Sequence, residues 1–288
     1  MTKPPVLTDR AALLRARSRA KAKGLADFLH DSAAVEIKER LNEVNRTFTD
    51  MAVVSGFPEF WGARFPQARQ LADDPVLDLA PASLDLIVHA LALHWADDPV
   101  GQVVQCARAL RPDGLFIAVV PGGQTLAELR SCLAAAESRL TGGLSPRVVP
   151  MGEIRDLGGV LPRAGLALPV ADVVNLTASY RDAWHLMRDL RAMGETNALA
   201  ARRRTIPPRA LFDEASRLYS LSFGDDDGRV RASFDLVFLT GWAPHESQQK
   251  PLPPGGGRWR GTGPGSLPEA ASNPDAPGVP GSENAPQD

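Results

Sequence analysis

The chain has 288 residues, 44% hydrophobic and 23% charged, which suits one large α/β domain or two small ones. A formal net charge of -2 excludes a protein whose overall charge is tuned for nucleic acid. No apolar run approaches the ~18 residues of a membrane span, and Met1 to Lys23 has no apolar secretory core, so a cytoplasmic protein is expected.

Arg10 to Lys23 (RAALLRARSRAKAK) is a basic run of strong helix formers with no acid in it. It predicts a solvated helical arm, or one that contacts an acidic partner or anionic surface. Phe28 to Leu41 continues as an amphipathic helix. Met51 to Val54 is a short apolar run ending in Ser55-Gly56. Leu84 to Leu91 and Leu115 to Val120 are longer runs of branched residues, the pattern of strands buried on both faces of a parallel sheet. Between them, Val100, Val103, Val104, Ala107 and Leu110 fall on one helical face, with Asp98 as cap and Pro99 in the first turn. Pro112-Asp113-Gly114 turns the chain into the next strand, which completes a βαβ unit.

Further helices are expected at Leu126 to Leu140, Ile154 to Ala164, Asp182 to Met193 and Leu211 to Ser222, and a last strand at Ser233 to Trp242. The final 38 residues hold nine prolines and eight glycines, too few apolar groups to offset their ordering entropy. The expected organisation is a helical arm over 1–45, an α/β domain over 46–250 with a helical lid at about 177–223, and a disordered tail over 251–288. Cys106 and Cys132 lack metal-ligand spacing and read as packed, reduced thiols. The five histidines are scattered, and no metal set, nucleophile elbow or Walker loop is present.

Alternating strands and helices with a late strand predict an open, doubly wound, Rossmann-like α/β sheet. One ordered series of residues goes further: Ala72-Asp73-Asp74, Leu77, Leu84-Asp85-Leu86-Ile87-Val88, Leu91-Ala92-Leu93-His94-Trp95 and Leu110-Arg111-Pro112-Asp113-Gly114. It resembles the class I S-adenosylmethionine-dependent methyltransferases of the type 11 group, whose pattern runs A-D-x-x-x-L-P-F, F-D-x-V, L-H-W, L-x-P-G-G. Gly122-Gly123-Gln124-Thr125-Leu126, Gly142-Gly143-Leu144-Ser145-Pro146, Met193-Gly194-Glu195-Thr196-Asn197 and Gly241-Trp242 to Gln248 are similar to the complex I assembly factor branch of that group.

The resemblance implies S-adenosylmethionine as cofactor, and a subunit of the respiratory NADH dehydrogenase as partner. It implies methyl transfer to an unknown acceptor; the alternatives are a non-catalytic assembly protein and a protein arginine hydroxylase. Two departures stand against the family pattern. The glycine loop D-x-G-x-G-x-G is reduced to Ser55-Gly56-Phe57-Pro58, although its glycines are what let backbone approach the cofactor. Gly56 and Asp85 are only 29 positions apart, about the length of one βαβ unit. A shortened N-terminal half of the sheet is therefore expected, with one short helix at Glu59 to Phe65 and one short strand at Arg69 to Ala72.

By the resemblance, Ser55, Gly56, Asp73, Asp74 and His94 are the cofactor-binding candidates. Asp73 and Asp74 either face adenine or form a turn before Pro75. His94 and Trp95 end a strand where open α/β sheets bind ligands; they either serve the chemistry or shape the loop. Gly122-Gly123 either brings backbone to a ligand or is a plain turn. Tyr180, a third catalytic candidate, with Glu195 and Asn197, is expected in the helical lid over the mouth of the site. An enzyme should carry a continuous pocket beside His94. A scaffold should have that pocket filled by Phe57 or Trp61.

Overall fold

The computed structural model describes residues 5–249; the tail expected over 251–288 lies outside them. Six strands form one sheet in the order β2-β1-β3-β4-β6-β5. The strands are β1 (Met51–Ser55), β2 (Arg69–Ala72), β3 (Leu84–Ala90), β4 (Leu110–Gly122), β5 (Ala167–Tyr180) and β6 (Val230–Trp242). β2, β1, β3 and β4 run parallel, and β6 is antiparallel to both β4 and β5.

The apolar runs become central strands because both faces of the sheet are covered. Ala52, Val54, Ile87, Phe116, Ala118 and Val120 point to one face, where they meet Val103, Cys106 and Ala109 of α4 (Pro99–Ala109). The alternate residues Val53, Leu86, Val88, Leu115, Ile117 and Val119 point to the other, under α2 (Phe28–Glu43) and α3 (Pro58–Arg64). α4 starts as its sequence signals: the Asp98 side chain accepts from Gly101 N at 2.8 Å and Pro99 takes the first turn. Pro112-Asp113-Gly114 sits inside β4 as a bulge. The register jumps from Leu84 opposite Leu110 to Leu86 opposite Leu115, with Asp113 at φ 64°.

The shortened half is present as read. Only α3 and β2 lie between β1 and β3. The arm does not stand in solvent: α1 (Arg10–Lys23) buries Leu13, Ala16, Arg17 and Ala20 along one face. The rest of the chain adds α5 (Ala127–Thr141), the short helices α6 (Ile154–Gly158) and α7 (Val160–Arg163), α8 (Ala183–Ala192) and α9 (Arg209–Phe223). Helices α5, α8 and α9 pack together over the start of β6 around Leu129, Leu133, Leu186, Leu211 and Phe234.

The region assigned to a helical lid opens with a strand. β5 runs to Tyr180, so Tyr180 ends a strand and does not lie on a lid helix. No helix among the described residues is long and apolar enough to cross a membrane.

Candidate functional site

The parallel strands end together, and their C-terminal ends carry most of the residues singled out above. β1 ends in Ser55 and Gly56, β2 leads to Asp73 and Asp74, β3 leads to a 3₁₀ turn at Leu93–Trp95, and β4 ends in Gly122. Two recesses lie across these ends, one over Gly56 and one beside His94.

The recess over Gly56 is filled by the chain itself. A Cβ built on Gly56 would stand 2.5 Å from Nε and 2.6 Å from Nη1 of Arg17, closer than side chains approach anything. The Arg17 side chain is 3% exposed. Its Nη1 donates to both oxygens of Asp73, at 2.8 and 2.9 Å. Arg10 donates to the same carboxylate at 2.9 and 3.0 Å, and to the exposed Asp74 at 3.2 Å. Burial alone would raise the Asp73 pKa; the two guanidinium groups reverse this and bring it to about 2. Ser55 is fully buried, and its Oγ accepts the backbone N–H of Phe57 at 3.2 Å. A cofactor lying against the Gly56 backbone would overlap Arg17, and one reaching the Asp73 carboxylate would meet two arginines. In this arrangement the residues do not fit S-adenosylmethionine.

The glycines where β4 ends are likewise spent internally. A Cβ on Gly122 would stand 2.6 Å from Val237, and one on Gly123 2.6 Å from the Asp235 carboxylate. Asp235 accepts Gln124 N and Asn175 Nδ2, each at 2.7 Å. The pair closes a turn against β6 with its open faces already occupied.

The recess beside His94 is open, with a volume of about 370 Å³. Leu129, Leu133, Met187, Leu190, Phe212 and Phe234 give it an apolar interior, and its polar lining includes His94, Glu195 and Thr125 and the arginines Arg147, Arg191, Arg202 and Arg203. Phe57 and Trp61 are buried but do not line it. Trp61 instead donates to Nδ1 of His30 at 3.2 Å behind the wall. Burial pushes His30 down to about 4, and likewise His89, whose Nε2 meets Gln102 at 3.0 Å.

Glu195 organises the polar side of this cavity. Its Oε2 accepts Trp95 Nε1 at 2.8 Å and meets His94 Nε2 at 3.2 Å. Burial pushes the Glu195 carboxyl up, but the His94 ring, the Arg17 charge and the Trp95 N–H outweigh it and hold it below its ordinary value. With His94 Nε2 turned to Glu195, its Nδ1 is buried without a partner among the described residues. Asn197 ties the neighbouring loop down: Nδ2 donates to Pro146 O at 2.8 Å, and Oδ1 accepts Leu199 N at 3.1 Å. Tyr180 lies outside the cavity, and its hydroxyl donates to Asp189 at 2.8 Å. Of the sequence candidates, His94, Trp95, Glu195 and Asn197 come together here, while Gly56 and Asp73 lie against Arg17, Asp74 pairs with Arg10, and Ser55 is buried at the end of β1.

Arg10 and Arg17 were not legible as site residues in a basic run. The available signal was spacing, since Arg17 falls in the stripe Leu13, Ala16, Arg17, Ala20 that α1 buries.

Residues 20–118 match the family model described as a methyltransferase domain. The relatives include the arginine-hydroxylase NDUFAF5, mitochondrial, of Dictyostelium discoideum, at 41% identity over 62% of this chain and 41% of the relative. The human protein of the same name is 37% identical, over 65% of this chain and 54% of the relative. Over the matched residues the chain is similar to the class I methyltransferase superfamily. A malonyl-[acyl-carrier protein] O-methyltransferase of Laribacter hongkongensis is 34% identical, over 67% of this chain and 62% of the relative. Over these residues the chain is also similar to the arginine-hydroxylase relatives, the branch its motifs resemble. It spans about half the length of the first of these relatives.

Proposed function

We propose that this methyltransferase-family chain acts as a binding protein of the assembly-factor kind. It receives an apolar group of a protein partner, a subunit of the respiratory NADH dehydrogenase, in the cavity beside His94. The observation behind this reading is the contrast between the two recesses: the one over Gly56 holds Arg17, while the one beside His94 is open, with a mainly apolar interior. Its walls take a leucine-sized group out of water, an effect of about 1.5–3 kcal/mol. Glu195 is pinned by Trp95 and His94, which fixes the polar side of the cavity. The buried, unpaired Cys106 and Cys132 suit the reducing cytoplasmic setting we assign.

The test is titration of the purified full chain with isolated subunits of the dehydrogenase, beside the variant Leu133→Trp, which narrows the cavity. Micromolar binding lost in the variant, with its thermal unfolding intact, is the expected result. Equal binding by both proteins sinks the cavity as the docking site.

One observation favours an enzyme as second reading: the cavity is continuous beside His94 and is not filled by Phe57 or Trp61. Methyl transfer from S-adenosylmethionine to an acceptor in this cavity, or arginine hydroxylation of a protein as in the relatives' names, are the forms it would take. Calorimetric titration with S-adenosylmethionine and S-adenosylhomocysteine separates them from the first. Binding at micromolar strength puts methyl transfer ahead.

A further inference from the structure

We infer that Arg17 is a built-in substitute for a bound cation in the recess over Gly56: helix α1 supplies the positive group that the recess holds, and no external ligand shares it. The inference is independent of what occupies the cavity beside His94. Asp73 and Asp74 make the strand ends here acidic, so a positive group is what the recess holds most readily. Arg17 supplies that positive group from within the chain.

Three observations carry the inference. The first is volume: the guanidinium lies so close over Gly56 that even a methyl group has no room there. The second is pairing. Arg17 Nη1 spans both Asp73 oxygens, at 2.8 and 2.9 Å, and the Phe57 ring lies 5.9 Å from its Cζ. Two charges buried to this degree persist only as a pair.

The third is anchorage, because the segment that carries Arg17 is held at both ends of the recess. Asp9 N donates to Ala198 O at 2.7 Å, and the Asp9 carboxylate accepts Arg202 and Arg204, each at 2.8 Å. Leu7 N and Thr8 N donate to Asp97, and Thr8 Oγ1 donates to Trp95 O at 2.9 Å. On the far side Gly194, at φ 81°, brings its backbone so near Arg17 that an added Cβ would stand 3.2 Å from both Cα and Cγ. This is a clamp on Arg17 and not a chance contact of a flexible side chain.

The fit is not complete in hydrogen bonding. Nε and Nη2 of Arg17 are buried without partners among the described residues. Arg17 therefore matches the recess in charge and volume but leaves two donor nitrogens unspent, as a group recruited to fill a space does.

The test uses the full chain and its variant Arg17→Ala, with ethylguanidinium as probe and sodium chloride at equal ionic strength as control. The unchanged chain is expected to show no heat and no thermal shift with millimolar S-adenosylhomocysteine or ethylguanidinium. R17A is expected to melt lower, and to regain about 3 °C or more once ethylguanidinium exceeds its Kd some tenfold. The double variant R17M/D73N, which removes both charges, is expected to fold and to ignore the probe. Micromolar binding of S-adenosylhomocysteine by the unchanged chain overturns the inference, whether or not R17A folds. So does an R17A variant that melts with the wild type and does not respond to the probe.

Discussion

The two recesses at the strand ends share a sheet and a set of loops, yet they are built on opposite principles. Over Gly56 the chain closes the space with a charge pair, Arg17 on Asp73, backed by Arg10. Beside His94 it leaves about 370 Å³ open under apolar side chains from α5, α8, α9 and β6. The first region is stable only while every charge keeps its partner; the second tolerates being empty because no apolar wall needs one. The contrast teaches that homology in the strands, which sets where a site lies, does not set which half of it stays accessible.

The largest way to break the contrast is to remove the carboxylate. Asp73→Ala leaves Arg17 buried without its partner and costs about 3–5 kcal/mol, to be read as a lower urea midpoint at neutral pH. If D73A keeps the wild-type midpoint, the charge pair does not hold the filled recess together.

Acid acts on the fold in two windows. His30 and His89 are held neutral at about 4 in the fold, against 6.5 when exposed. Unfolding lets them take up protons, so stability falls as pH drops from about 6.5 towards 4, by about 1–3 kcal/mol for each. Asp73 adds the second window: its contribution is full above about 4 and is lost as pH falls towards 2, because its folded value lies below the ordinary 3.8. Denaturant midpoints measured across pH should fall in both windows. The double variant H30Q/H89Q should flatten the upper one and leave the lower.

Gly56→Ala sharpens the comparison at one methyl group. It presses a Cβ onto the Arg17 guanidinium and costs about 1–3 kcal/mol. Leu133→Phe adds more atoms, but beside the open cavity, and should cost under about 1.5 kcal/mol. Equal losses in thermal unfolding would mean that the two recesses are packed alike.

The parallel half of the sheet was legible because β1, β3 and β4 are buried on both faces and so read as unbroken apolar runs. The helix between β3 and β4 was legible from Asp98 and Pro99. β5 was not: it is an edge strand of half-exposed residues broken by Pro169, so neither a run nor a clean alternation marks it. His94, Trp95, Glu195 and Asn197 were found through motifs, but their mutual contacts come from a loop 100 residues downstream that no local pattern connects. Arg17 was missed because arginine in a basic helix ordinarily faces water. Only the fold reveals that Asp73 lies opposite it.

The unread strand also explains why Tyr180 was placed wrongly, and it gives the smallest effect. As the last residue of β5, Tyr180 opposes Val230 of β6 and turns its hydroxyl to Asp189 on α8. That contact ties a lid helix to the sheet but reaches no atom of the cavity wall. Tyr180→Phe removes one hydrogen bond to a charged group that water can still reach, so the expected loss is about 0.5–1.5 kcal/mol. Partner binding at the His94 cavity should keep its affinity. A tenfold weaker Kd in Y180F with an unchanged melting temperature would instead tie Tyr180 to the site, and the boundary drawn between lid anchor and cavity would have to move.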